Sequence, residues 1–302
     1  MRIAITGSSG LIGTGLVTAL RHDGDEVIRL VRRAPRSADE ISWDPQAPRG
    51  GLDPAALRGV AAVLNLAGAG VADHRWTAAY KEKIRASRVT GTHTLAGLLA
   101  DMDGGPSVLL SGSAIGWYGD TGGREVDEST PAGAGFLADV VRDWEAAADP
   151  AREAGLRVVT LRTGIVISRQ GGVLARMLPP FRLGLGARLG PGTQVMSWVT
   201  LADWTRIARF LLDHDEVSGP VNLTTPHPVT NTAFTSALAG ALHRPAALAV
   251  PSPVLALALG GVTSDLLSSA RVLPRRLTEA GFEFSFPDLA AALNAELGQP
   301  VP

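Results

Sequence analysis

The chain has 302 residues, of which 45% are hydrophobic and 19% charged, and its formal net charge is −1. This composition predicts a well-packed globular protein, and the near-zero charge argues against nucleic acid or an anionic membrane surface as the main partner. The absence of cysteine excludes disulfides, thiolate metal sites and thiol catalysis.

The absence of a targeting signal and the ratio of arginine to lysine give two further expectations. No basic and apolar leader precedes Ile3, and the longest apolar stretch, residues 254–262, is too short to cross a bilayer. We therefore expect a cytoplasmic protein without a membrane partner. Only Lys81 and Lys83 of the 28 basic residues are lysines, a skew typical of a GC-rich bacterial genome.

The first half of the chain alternates β-rich runs with amphipathic stretches. The predicted strands are residues 2–6, 26–31, 61–66, 107–111 and 157–161, the last continuing at 165–167. The predicted helices between them are residues 11–21, 81–99 and 137–148. Apolar strands separated by helices indicate a parallel sheet covered on both faces, and right-handed crossovers make it an α/β, doubly wound sheet of the Rossmann type.

The pattern changes after about residue 170. We predict a glycine-rich loop at 182–194, a helix at 204–212, a further strand at 221–223 and a mostly helical tail from 251, broken at 279–289. Residues 1–170 are expected to form the sheet domain, which also receives part of 196–225. Residues 171–302 are expected to form a smaller substrate-side lobe that includes the helical segment 250–297.

The segment TGSSGLIG, residues 6–13, lies between the first predicted strand and the first predicted helix. Gly7 permits a tight turn, Gly10 lets the backbone approach a pyrophosphate, and Gly13 lets helix and strand pack closely. The helix N-terminus adds free N–H groups and a partial positive charge. This context predicts a dinucleotide site, with a purely structural turn as the alternative. The residues expected to contact the dinucleotide are Gly7, Ser9, Gly10, Leu11, Ile12 and Gly13.

The end of the second strand indicates which dinucleotide binds. NAD-preferring proteins usually place Asp or Glu there, about 20 residues beyond the loop, to bind the ribose hydroxyls. Here the strand ends in Leu30-Val31-Arg32-Arg33, without a carboxylate. A guanidinium suits a phosphate, so Arg32, with Arg33 beside it, is predicted to bind the 2′-phosphate of NADP(H). A solvated basic strand end is the alternative.

Several ordered motifs carry a family resemblance. Thr6-Gly7-x-x-Gly10-x-x-Gly13 is followed by SWDP (42–45), NLAGA (65–69), KIRASRVTGT (83–92), SGSAIGWYGD (111–120), FLADVVRDWEAAA (136–148), LRTGIVIS (161–168), LPPFRLGLG (178–186) and MSWVTLADW (196–204). Over nearly the whole chain, this series resembles the extended and atypical short-chain dehydrogenases/reductases, in particular the branch labelled nucleoside-diphosphate-sugar epimerase-like. The resemblance implies a Rossmann-type NADP(H)-binding domain with a small C-terminal domain, and it leaves the substrate undefined.

The resemblance also implies cofactor contacts away from the glycine loop. It places Asn65, Leu66, Ala67 and Gly68 along the adenosine and pyrophosphate, where small residues let the cofactor lie against backbone. It also implies that Arg88 helps to hold the cofactor. The alternatives are a glycine helix stop for the first segment and a solvated basic helix face for Arg88.

The usual proton chemistry of short-chain dehydrogenases is absent. That chemistry needs a tyrosine and a lysine four residues later, because the lysine lowers the pKa of the phenol. The only tyrosines are Tyr80 and Tyr118, and the residues four positions later are Ile84 and Gly122.

Other side chains follow the central predicted strands, where open sheets place their ligands. Ser111 and Ser113 are candidates to hydrogen-bond a substrate oxygen, and Tyr118 to donate a proton. Arg162 and Trp198 are candidates to line the substrate pocket. Packing is the alternative role for Tyr118 and Trp198.

We therefore expect an NADP(H)-dependent oxidoreductase or epimerase-like enzyme, a monomer or homodimer, acting on a small carbonyl or sugar-like substrate. A catalytically inactive NADP(H) sensor is the alternative, which the missing Tyr/Lys pair favours. A true nucleotide-sugar epimerase is disfavoured, since that reaction needs the missing base. None of the six histidines has metal-ligand spacing, so we predict no metal.

Overall fold

The computed structural model describes residues 1–298 of the chain. The last four residues of the predicted lobe, 299–302, lie outside the described residues. The strands are β1 (Arg2–Thr6), β2 (Glu26–Val31), β3 (Glu40–Ser42), β4 (Ala62–Asn65), β5 (Val108–Ala114), β6 (Glu125–Val126), β7 (Arg157–Thr163), β8 (Ile165–Ile167), β9 (Ala187–Leu189), β10 (Val195–Met196), β11 (Trp198–Thr200), β12 (Gly219–Leu223), β13 (Val229–Thr230), β14 (Leu248–Val250) and β15 (Arg271–Val272). The helices are α1 (Leu11–His22), α2 (Ala78–Ala100), α3 (Phe136–Ala146), α4 (Asp149–Glu153), α5 (Gly172–Arg182), α6 (Leu201–Asp213), α7 (Asn231–Ala241), α8 (Ser252–Leu259), α9 (Val262–Leu266), α10 (Arg275–Glu279) and α11 (Leu289–Leu297).

Seven strands form one parallel sheet in the order β12-β7-β5-β4-β1-β2-β3. The predicted doubly wound parallel sheet is thus confirmed. The chain runs outward from β1 through β2 to β3, and then returns to the other side of β1 at β4. Because an open parallel sheet binds ligands where its strand order reverses, the crevice above β1 and β4 is the expected site.

Apolar side chains cover both faces of this sheet. On one face, Leu16 and Leu20 of α1 and Trp204 and Ile207 of α6 are fully buried against the strands. On the other face, α2 contributes Leu95 to a second buried cluster. Each such side chain stabilises the fold by about 1.5–3 kcal/mol relative to an exposed one. These two layers hold the carboxyl ends of the strands in fixed positions.

The later part of the chain builds a second group of elements over the carboxyl ends of the strands. Its interior is a separate apolar cluster in which Trp198, Phe234 and Leu293 are fully buried. The C-terminal segment then returns to the sheet, since Leu277 and Phe282 belong to the same core as β1 and β12. The second group is therefore joined to the sheet by packing as well as by covalent chain.

The structure extends or corrects several predicted elements. The strands predicted at 107–111 and 157–161 run on to Ala114 and Thr163. The loop prediction for 182–194 is wrong at β9, which pairs in parallel with β14. The sequence also did not indicate α5, because Pro179 and Pro180, which lie inside it, normally end helices.

Candidate functional site

The glycine loop leaves the N-terminus of α1 open. Gly10 precedes the helix without a side-chain cap, and the first turn contains no acidic residue. Within residues 1–298, the amides of Leu11, Ile12 and Gly13 donate to no backbone carbonyl. A Cβ on Gly10 would meet only the carbonyl oxygen of Gly7, at 3.5 Å, and would otherwise project into open space. Free amides beside a missing side chain are what a close-lying pyrophosphate requires.

The other two loop glycines are required by packing within the protein. Gly7 has a φ of +68°, and a Cβ there would lie 2.6 Å from the carbonyl carbon of Leu66. A Cβ on Gly13 would lie 2.2 Å from the carbonyl oxygen of Gly7. Both contacts are too short for any side chain, so these glycines allow the loop to turn and the helix to dock.

A crevice of about 410 Å³ runs from this loop to the end of β2. It brings together eight of the predicted cofactor residues: Gly7, Ser9, Gly10, Arg32, Arg33, Leu66, Ala67 and Gly68. It does not bring in the side chain of Asn65, which is buried and accepts a hydrogen bond from the Thr6 hydroxyl at 2.6 Å. The side chain of Ile12 packs on the core instead. The side chains of Asn65 and Ile12 thus pack within the protein and do not line the crevice, where they were predicted to contact the cofactor.

Two arginines at the end of β2 differ in their surroundings. Arg33 donates through both terminal nitrogens to the Glu40 carboxylate, at 2.7 Å each. That guanidinium and the Arg36 amide lower the pKa of Glu40 to about 2. Arg32 is exposed, and with residues 1–298 it forms no ion pair and no side-chain hydrogen bond. Of the two predicted arginines, Arg32 is the one whose charge is free for a ligand.

Arg88 on α2 lies between the crevice and a second cavity. Its Nη1 donates to the carbonyl oxygens of Ala69 at 3.0 Å and Ile84 at 3.1 Å, and its guanidinium lies over the Trp144 ring. A Cβ on Gly68 would lie 3.2 Å from Cζ of Arg88, so the glycine lets the guanidinium approach the crevice. Arg88 is half-buried, and burial lowers its pKa. It has no carboxylate partner among the described residues, which leaves a fixed positive charge at this junction.

The second cavity has a volume of about 420 Å³ and lies above β5, β7 and β8. Its lining is mostly apolar and includes Ile115, Val140, Trp144, Ile165, Met177 and Leu189. Asp265 also reaches it, and burial raises the pKa of that carboxyl. A mainly apolar cavity beside a dinucleotide crevice is the expected form of a substrate site.

The predicted catalytic side chains lie in the interior rather than along this cavity. Ser111 is fully buried, and its hydroxyl has no hydrogen-bond partner in the described part of the chain. The Ser113 hydroxyl donates to Oε1 of Glu145 at 2.5 Å, and the Tyr118 hydroxyl donates to Oδ1 of Asn222 at 2.8 Å. This placement corrects the expectation that Ser111 and Ser113 face the substrate, and Tyr118 follows the packing alternative, since it is buried beside Trp117.

The two predicted pocket residues are also buried. Arg162 is paired with Glu145, from Nε to Oε1 at 2.8 Å and from Nη2 to Oε2 at 2.9 Å, and it donates to the Tyr118 hydroxyl at 3.1 Å. Trp198 is fully buried and donates its indole N–H to the carbonyl oxygen of His227. Neither lines the cavity: this corrects the predicted placement of Arg162, while Trp198 follows the packing alternative.

Ser113, Glu145, Arg162, Tyr118 and Asn222 therefore form one buried polar network. Burial raises the pKa of Tyr118 to about 12, which makes its phenol a still weaker acid than free tyrosine. Glu145 holds the network together, and the sequence analysis missed it. The available signal was its position four residues after Val141 on the apolar face of α3, where a carboxylate needs a buried partner.

Two further features do not add to the site. In the part of the chain that the structure describes, no group of three or more His, Asp or Glu side chains is arranged to hold a metal ion, and no helix is long and apolar enough to cross a membrane. A depression of about 550 Å³ lies at the far end of α1, against α6, and its Arg209 is already paired with Asp213. The crevice and the apolar cavity thus remain the candidate site.

The fold and the glycine-loop crevice define a protein of the Rossmann dinucleotide-binding class. The family described as "NAD dependent epimerase/dehydratase family" matches residues 3–223, and the "Domain of unknown function (DUF1731)" matches residues 250–296. The chain belongs to the NAD-dependent epimerase/dehydratase family. Its homologues include an atypical short-chain dehydrogenase/reductase, so the predicted resemblance is confirmed.

Three similar proteins cover nearly all of this chain. An epimerase family protein of Mycobacterium bovis is 46% identical over 99% of this chain and 98% of its own length. The crystal structure of human epimerase family protein SDR39U1 (isoform 2) with NADPH has a TM-score of 0.89 at 31% identity, over 99% of both chains. A nucleoside-diphosphate sugar epimerase from Corynebacterium glutamicum has a TM-score of 0.82 at 34% identity, over 99% of this chain and 58% of that one.

Proposed function

We propose that this protein is a cytoplasmic NADPH-dependent oxidoreductase that acts on a small carbonyl compound. The observation that carries the proposal is Arg32, whose guanidinium has no partner among residues 1–298 and lies at the end of β2, in the same crevice as the open N-terminus of α1. The human relative that shares this fold was crystallised with NADPH, which supports the same cofactor here.

Each part of the crevice has a task in this proposal. The free amides of Leu11, Ile12 and Gly13 receive the pyrophosphate, and Arg32 neutralises the 2′-phosphate. Arg88 adds a positive charge where the crevice meets the cavity. When bound, the nicotinamide would supply a hydride to the carbonyl carbon, while the protein orients the carbonyl and its oxygen takes a proton from water.

Cofactor titration of three proteins tests the assignment of Arg32. A charged hydrogen bond contributes about 1.5–3 kcal/mol, so Arg32→Ala is expected to weaken NADPH binding about 10- to 100-fold and to leave NADH binding unchanged. Arg36→Ala is the matched control, because Arg36 is exposed on the same loop and only its backbone amide contacts Glu40. Equal affinity for the two cofactors in the unaltered protein, or an equal loss in both variants, would refute the assignment.

A catalytically inactive NADPH sensor is the second candidate. The burial of Ser111, Ser113 and Tyr118 favours it, because none of these hydroxyls reaches the cavity. The apolar cavity beside the crevice favours an enzyme. A screen of NADPH oxidation with quinones, ketones and keto-sugars separates the two: tight NADPH binding without turnover of any compound would support the sensor.

A further inference from the structure

The cavity beside the crevice has too few charged groups for a nucleotide-sugar substrate. The diphosphate of such a substrate carries two negative charges and needs arginine, lysine or a cluster of free amides. Among the described residues that line the cavity, the charged ones are Arg88 and Asp265. Arg88 lies at the cofactor end, with its Nη1 already bound to two carbonyl oxygens. Asp265 would repel a diphosphate when ionised.

The uncharged polar groups of the lining are mostly engaged within the protein. The Ser197 hydroxyl donates to the carbonyl oxygen of Ala270 and accepts from the Val272 amide. Oδ1 of Asn231 accepts from the Leu189 amide at 2.8 Å. A sugar ring with several hydroxyls would therefore find few free partners, and each unpaired hydroxyl would cost free energy on burial.

What the cavity offers a ligand is apolar surface. Val140, Val141, Trp144, Ile165 and Met177 line it, and its volume of about 420 Å³ is that of a small-molecule site. Among the described lining residues, Arg88, the Asp265 carboxyl and the Asn231 amide nitrogen, whose one partner is the Met196 sulfur at 3.5 Å, can hydrogen-bond one or two oxygen atoms. This is the recognition chemistry of a hydrophobic ketone, aldehyde or quinone.

We infer that the substrate bound in this cavity is an uncharged, mainly apolar carbonyl compound without a nucleoside diphosphate. The inference rests on the proposed function, since it names the substrate class for the same NADPH-binding site. It separates this protein from the sugar chemistry for which its family is named.

Calorimetric titration of the NADP⁺-loaded protein tests the inference without turnover, because the oxidised cofactor has no hydride to give. The probes are acetylnaphthalene, an uncharged aryl ketone, and UDP-glucose. Acetylnaphthalene is expected to bind with a negative heat-capacity change, the mark of apolar burial. UDP-glucose is expected not to bind.

Two lysine substitutions locate the binding. Val173 lines the cavity and is 41% exposed, whereas Leu183, at the end of the same helix, is 76% exposed and is not part of the described lining. Val173→Lys is expected to weaken acetylnaphthalene binding at least about tenfold, because it brings a charge into the apolar site, and Leu183→Lys is expected to leave it unchanged. Far-UV circular dichroism and NADP⁺ affinity report that both variants are folded.

Three outcomes would overturn the inference. UDP-glucose binds and Val173→Lys changes its affinity, or neither acetylnaphthalene nor UDP-glucose binds. In the third outcome, the two lysine substitutions weaken acetylnaphthalene binding equally. Failure of NADP⁺ itself to bind would instead refute the proposed function. In that event, the same titrations without cofactor still decide what the cavity accepts.

Discussion

Replacing Glu145 by methionine is expected to destabilise the fold strongly. The carboxylate accepts hydrogen bonds from the Ser113 hydroxyl at 2.5 Å and from Nε and Nη2 of Arg162 at 2.8 Å and 2.9 Å. The side chains of Arg162 and Glu145 are only 3% and 10% exposed. The substitution therefore leaves a guanidinium charge buried without its counter-ion, which costs about 3–5 kcal/mol.

The expected change in melting temperature follows from the length of the chain. Unfolding entropy near the midpoint is about 2.1 cal/mol/K per residue, which gives about 0.6 kcal/mol/K for 302 residues. Glu145→Met should thus lower the midpoint by about 5–8 °C in differential scanning calorimetry. The double variant Glu145→Met/Arg162→Met should recover most of this loss, since it removes both charges from the interior.

The matched control lies on the same helix. Asp139 and Arg142 form an ion pair on α3 with side chains 50% and 51% exposed. Asp139→Asn should cost less than about 1 kcal/mol, because water screens exposed pairs. The reasoning is refuted if Glu145→Met lowers the midpoint no more than Asp139→Asn does, or if the double variant is less stable than the single one.

Gly13→Ala should weaken NADPH binding at least about tenfold in a fluorescence titration, because the new Cβ would lie 2.2 Å from the carbonyl oxygen of Gly7. Gly97→Ala is the control and should leave NADPH binding unchanged, because its Cβ would have no heavy atom within 4 Å. Equal effects of the two substitutions would contradict the packing role of Gly13. Tyr118→Phe should lower the melting temperature but leave the pH dependence of NADPH oxidation unchanged, because burial holds the pKa of that phenol at about 12, and a shifted profile would restore a proton-transfer role. The Arg33 guanidinium is the largest cause that lowers the pKa of Glu40 from 4.5 to about 2. The ionised Glu40 therefore stabilises the folded state above pH 4.5, and this stabilisation is lost as the pH falls toward 2. Arg33→Ala should therefore lessen the loss of stability between pH 5 and 3 in acid titrations followed by circular dichroism, and an unchanged slope would argue against the ion pair.

The features that the sequence predicted well are local. Residues 3–5 form a short apolar run shortly before Gly7, Gly10 and Gly13, and that order predicts a strand, a turn and a helix start. Arg32 was predictable for the same reason, since its position depends only on where β2 ends. Local periodicity and glycine spacing therefore predicted the loop and the strand end that line the crevice.

The features that the sequence did not predict depend on distant partners. Tyr118 is buried because Asn222, on a strand 104 positions later, accepts its hydroxyl. The position of Arg162 depends on Glu145, and neither spacing nor composition pairs them. The apolar cavity likewise combines side chains from α3, α5 and the segment after β14. Such groupings arise from tertiary packing, which is why the residues of the crevice were easier to predict from the sequence than those of the apolar cavity.

The return of the C-terminal segment to the sheet has a consequence for how this protein can be divided. The match to the epimerase/dehydratase family ends at residue 223, and the match to DUF1731 begins at residue 250. The interior does not follow that division, because Leu277 and Phe282 complete the hydrophobic layer that β12 needs. The two segments therefore share one hydrophobic core, and removing the C-terminal segment would expose apolar side chains of the sheet to water.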